Sequence, residues 1–132
     1  MNDNLTELFG PVIASYTRSQ SISDGFQIDV SETAKEAGIS FPTFINRTVF
    51  DAYVVVPEGV EGQDESGRLW DIINGLRFAI DKTRRSASRI PFDLLVKNKN
   101  SKPCLVKLAA MCGPLDINDP QPAITIMMPD ED

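Results

Sequence analysis

The densest run of polar side chains is Ser15-Tyr16-Thr17-Arg18-Ser19-Gln20, followed by Asp24, Asp29 and Ser31. A guanidinium presents five N–H donors in a fixed fork that suits carboxylate or phosphate, and a tyrosine stacks on a ligand or hydrogen-bonds it. Tyr16, Thr17, Arg18, Asp24 and Asp29 are therefore candidates for a ligand or partner site. The same residue types also serve as local caps and turn formers, with Arg18 paired to a carboxylate. A second candidate cluster is Arg68-Leu69-Trp70-Asp71, in which Trp70 is either a packing residue or a ligand platform. A third is the basic stretch from Lys82 to Arg89, whose Lys82, Arg84, Arg85 and Arg89 are candidates for holding an anion. It lacks the interleaved aromatics of a nucleic-acid reading motif.

The chain contains no histidine, which removes the commonest general base, every Ser-His or Cys-His nucleophile pair and most zinc sites. Neither a dinucleotide-binding glycine fingerprint nor a phosphate-cradling loop can be written on its eight glycines. The two cysteines, Cys104 and Cys112, lie on one apolar stretch. An extended strand would hold them ~26 Å apart, beyond disulfide reach. They are expected as buried, reduced thiols, and no metal or cofactor is implied.

The net charge of -6 divides into blocks. Residues 1–67 carry three bases and eleven acids, residues 68–107 carry ten bases and three acids, and residues 108–132 carry five acids and no base. Either the blocks pack together and cancel, or a basic face is offered to an anionic partner. Taken as a surface, the acids at 24, 29, 32, 36, 51, 58, 61, 64, 65 and 71 read either as a solvated face or as a mimic of duplex DNA that occupies the basic groove of a nucleic-acid enzyme. With 132 residues, 42% of them hydrophobic, one folded domain spanning 1–132 is expected, its ends 1–8 and 129–132 frayed. No apolar run approaches the ~20 residues of a membrane span, and a cytoplasmic location is expected.

The elements that would position these side chains make an α+β domain. Val12 to Tyr16 suggests a short strand, and Thr17 caps a helical turn from Arg18 to Asp24 that Gly25 stops. Phe26 to Val30 alternates with the period of a half-buried strand, and Ser31 opens a short helix closed by Gly38. Phe41, Phe44, Ile45, Val49 and Ala52 recur at helical spacing and predict a core-facing helix from Ser40, ending in Tyr53 to Val56. The clearest element is a helix from about Ser66 to Arg85, with Leu69, Ile72, Ile73, Leu76 and Ile80 on one stripe. Gly75 in its middle suggests close approach of another element. Phe92–Lys97, Cys104–Cys112 and Ala123–Met128 predict a three-strand antiparallel meander packed against that helix, which the N-terminal strands could extend.

Phe9-Gly10-Pro11-Val12-Ile13, Ser15 to Arg18, Asp24-Gly25, Asp29 to Gly38, Gly67 to Asp71 and the ending Ile124 to Pro129 together resemble a family of small proteins of unknown function carried on bacterial plasmids, phages and other mobile elements. The resemblance implies context and no chemistry. With the missing catalytic residue types, it makes a non-catalytic, protein-binding accessory factor the first expectation, one that counteracts a host defence or restriction enzyme. A nucleotide-binding protein or enzyme using Arg18 and Tyr16 is the second, and a nucleic-acid binder using the basic stretch 77–107 is the third.

Overall fold

The computed structural model describes residues 16–83, 88–100 and 102–131. Among the described residues five strands, β1 (Gln27–Asp29), β2 (Thr43–Asn46), β3 (Arg89–Val96), β4 (Cys104–Asp116) and β5 (Asp119–Met127), form one mixed sheet in the order β1-β2-β5-β4-β3. β3, β4 and β5 run antiparallel in succession, as the sequence predicts. β5 then pairs in parallel with β2, and β2 is flanked on its other side by antiparallel β1. The suggested strand at Val12 to Tyr16 falls largely outside the described residues.

The short helices follow their caps. In α1 (Arg18–Ser23) the Thr17 side chain accepts from the Gln20 N–H, while Gln20 returns to the Thr17 N–H, a reciprocal capping box. α2 spans Ser31–Glu36, with Val30 as its N-cap and Ser31 already inside the helix. Both end on a glycine in the left-handed region, Gly25 at φ 83° and Gly38 at φ 93°. The closing bonds run from the Phe26 N–H to the Ser21 carbonyl and from the Ile39 N–H to the Ala34 carbonyl.

The helix expected from Ser40 does not form. Thr43–Asn46 is strand β2, and only Arg47–Val49 (α3) and a π-helical turn at Phe50–Val54 are helical. β2 lies inside the sheet and is buried on both faces at Phe44 and Ile45. Its apolar residues therefore lose the strand alternation and imitate helical spacing.

The long helix, α4 (Glu65–Lys82), starts one residue earlier than expected, because Asp64 is its N-cap and accepts from the Gly67 N–H at 2.7 Å. It ends at Lys82, with Thr83 already extended. Its Ile72, Ile73 and Leu76 are fully buried. They belong to the same core as a row that crosses all five strands, Ile28–Ile45–Ile126–Ala110–Ile90, each neighbour in register with the next. No helix among the described residues is long and apolar enough to cross a membrane.

Gly75 faces β3: a Cβ there would lie 3.6 Å from Phe92 and 3.8 Å from Leu94. That is ordinary van der Waals contact. Gly75→Ala is thus expected to stabilise the fold by about 0.5–1 kcal/mol through helix propensity, whereas Gly75→Leu overfills the helix–strand contact and destabilises it. Thermal unfolding of the two variants checks the pair of opposite signs.

The expected burial of both cysteines is corrected. Cys104 begins β4 at the hairpin end and is exposed, and Cys112 is half-buried; both are free thiols. Burial raises the Cys112 thiol above its ordinary value. In the closing segment, where fraying is expected, Glu131 is instead tied down by the hydroxyl of Thr48, the amide of Asn46 and the N–H of Met128.

Candidate functional site

The outer face of the sheet, opposite α4, carries the first candidate cluster. Arg18 lies at the start of α1, its guanidinium carbon 4.2 Å above the Phe44 ring. Its Nε donates to the Leu115 carbonyl at 2.6 Å, Nη1 to Gln27 Oε1 at 3.0 Å and Thr125 Oγ1 at 2.9 Å, and Nη2 to the Pro114 carbonyl at 3.4 Å. Four of the five N–H donors are therefore spent inside the fold. The expected pairing of its guanidinium with a carboxylate is replaced by these neutral acceptors. Burial lowers the Arg18 pKa, and the charges of Asp116 and Asp29 oppose that shift.

Asp116, which sequence reasoning did not single out, fixes α1 from the β4–β5 hairpin. Its carboxylate accepts from the backbone N–H groups of Arg18 at 3.0 Å and Ser19 at 3.1 Å, and from its neighbour Ile117 at 2.8 Å. Tyr16 donates its hydroxyl to Asp24 and its ring lies 6.3 Å from Phe26. That hydrogen bond raises the tyrosine pKa. Asp29 accepts from the Ser31 N–H at 2.9 Å. Tyr16, Arg18, Gln27 and Asp116 line an open cleft of about 280 Å³.

Two carboxylates here couple the fold to pH. The Asp116 carboxyl lies below the ordinary value of 3.8, chiefly through the Ile117 and Arg18 N–H groups. For Glu131, burial alone would raise the value above 4.5, but the Met128 N–H, Thr48 and Asn46 outweigh it and the net shift is downward. Both folded values are depressed, so their stabilisation is complete above the unfolded values and is lost as pH falls through the folded ones. Thermal midpoints are expected to fall on acidification below about pH 4.5. Asp116→Asn and Glu131→Gln should start lower near neutral pH and lose less on acidification, and midpoint-against-pH curves for the three proteins check this.

The second cluster is divided by α4. Arg68 is only 4% exposed, Asp71 lines the same side, and Trp70 stands apart on the outer surface of the helix. Arg68 donates from Nε to the Val54 carbonyl at 3.2 Å, from Nη1 to Gln63 Oε1 at 3.2 Å and the Lys97 carbonyl at 2.7 Å, and from Nη2 to Asn98 Oδ1 at 2.6 Å. No carboxylate lies within ion-pair distance of it among the described residues. Burial lowers its pKa. With Tyr53, Gln63, Asp71 and Lys97, it borders a cavity of about 150 Å³. The asparagines of the β3–β4 turn complete this corner: Asn98 donates to the Ala52 carbonyl, and Asn100 donates to the Gly59 carbonyl and accepts from the Glu61 N–H.

Of the anion candidates, Lys82 and Arg89 line one groove of about 570 Å³ between the end of α4 and β3. Arg89 is engaged by the carbonyls of Pro129 and Glu131. Arg84 and Arg85 lie outside the described residues. Among the described residues no group of three or more His, Cys, Asp or Glu side chains is placed to hold a metal ion.

The ion pairs among the described residues are Arg47–Asp51, Arg77–Asp81 and Asp93–Lys107, and each joins two residues of the same block. All ten acids singled out between positions 24 and 71 are exposed. Comparison with protein-family models, curated proteins and solved structures gives no match.

Proposed function

We propose that the chain is a non-catalytic, protein-binding accessory factor of a mobile element, whose acidic front surface engages a basic surface on a host defence or restriction enzyme. The observation that supports this reading is the pattern of ion pairs: none joins the acidic block to the basic block among the described residues, and of the front-half carboxylates only Asp51 is ion-paired there, with Arg47 of its own block. Exposed charges of one sign steer association and give it a steep salt dependence. The ligand reading has less support, because Arg18 and Arg68 each spend four donors on acceptors within the fold.

The test is capture from a host lysate on the immobilised chain, beside a variant carrying Glu32→Gln, Glu36→Gln and Glu58→Gln, all at exposed positions. The expected result is a basic partner retained at low salt, released at high salt and captured weakly by the variant. The chain should also raise the survival of an incoming plasmid. Recovery of no partner together with no protection overturns the proposal.

A further inference from the structure

We infer that the free edge of β3 is a self-association site, on which a second copy of this chain adds its own β3 antiparallel about Leu95. Among the described residues β3 ends the sheet, paired only with β4. Which of its residues point outward follows from one bond: the Cys112 N–H donates to the Ser88 carbonyl at 2.7 Å, so Ser88 and Cys112 form a hydrogen-bonded pair of the antiparallel ladder. Alternation along the unshifted register then turns the backbone groups of Ile90, Phe92 and Leu94 toward β4 and those of Pro91, Asp93 and Leu95 out of the edge. Pro91, which has no N–H, occupies an outward position and blocks strand addition over the first half of β3. Over the second half, no other segment's backbone pairs with Asp93 or Leu95 among the described residues.

The side chains identify the occupant. Leu95 is 63% exposed, and its register partner on β4, Leu105, is 62% exposed, so an apolar pair lies bare on the outer face beside the open edge. A two-fold axis at Leu95 sets Leu95 against Leu95 and Asp93 against Lys97 of the second copy, twice by symmetry. Each contact is then apolar on apolar or acid on base. Pro91 falls opposite residue 99, beyond the paired segment. The ladder is short, because the Lys97 carbonyl already accepts from Arg68. Its centre is the double N–H to C=O exchange between the two Leu95 residues, extended by the Lys97 N–H to the Asp93 carbonyl.

Sedimentation equilibrium over a concentration series tests the inference, starting from a protomer of 14.6 kDa. The expected result is an average mass that climbs toward twice that value. Leu95→Pro removes an outward N–H and the exposed leucine side chain, at a position equivalent to that of Pro91, and should leave the chain folded by circular dichroism while abolishing the dimer. Asp93→Lys and Lys97→Asp should each weaken self-association roughly tenfold, since each sets like charges opposite one another twice. An equimolar mixture of these two variants should recover it, because the heterodimer restores both acid–base pairs. A mass fixed at one protomer throughout, or a dimer that survives Leu95→Pro and both charge variants, overturns the inference.

Discussion

Arg68→Ala is expected to cost about 3 kcal/mol, lowering the thermal midpoint by roughly 10 °C for a chain of this size. Arg68 joins three segments that do not otherwise share a strand or helix: the end of the π-helical turn at Val54, the loop before α4 at Gln63, and the β3–β4 turn at Lys97 and Asn98. Alanine leaves the Val54 and Lys97 carbonyls without this donor and enlarges a cavity that already measures about 150 Å³. Arg68→Met should cost roughly half as much, because it fills the space and also removes a buried charge that has no carboxylate beside it among the described residues. Arg68→Lys should resemble alanine: one ammonium cannot reach acceptors arranged around a fork. Urea unfolding of the three variants checks the order Met, then Lys and Ala. Lysine as stable as the parent protein would mean that charge, and not the fork, holds this corner.

Why Arg68 is legible only as a candidate ligand group, and not as a fixture of the core, lies in its residue type. Arginine is rarely fully buried, and sequence patterning gives no sign of the four acceptors that converge on it from positions 54 to 98. The apolar stripe of α4 and the glycine stops at Gly25 and Gly38 are legible because their causes are local: helical period and left-handed backbone. The parallel joining of β2 to β5 has no local cause. It brings Ile45 beside Ile126, and only the completed sheet buries β2 on both faces. The cleft at Arg18 is half legible in the same sense. The capping box of Thr17 and Gln20 can be seen in the sequence, while the contacts to Leu115, Asp116 and Thr125 arrive from about a hundred residues away.

Arg18→Ala is expected to destabilise the fold by about 2–3 kcal/mol and to loosen α1 ahead of the rest of the chain. The helix has six residues and none of them is buried, so it draws little from its own packing. Its attachments to the hairpin are the Arg18 guanidinium, on the carbonyls of Pro114 and Leu115, and the Asp116 carboxylate, on the N–H groups of Arg18 and Ser19. Loss of the guanidinium also uncovers the face of Phe44 and leaves Thr125 and Gln27 without their shared donor. Hydrogen exchange should therefore show faster opening over Arg18–Ser23 than over β4 and β5. Arg18→Lys separates two causes: a fork requirement predicts nearly the full alanine loss, whereas a purely electrostatic attraction to Asp116 and Asp29 predicts that lysine rescues. The contacts favour the fork, since every guanidinium bond described ends on a neutral oxygen. Because Asp116 pins the same helix from the same hairpin, Arg18→Ala and Asp116→Asn should cost less together than the sum of their separate effects. Once either attachment has freed α1, the other has little left to hold.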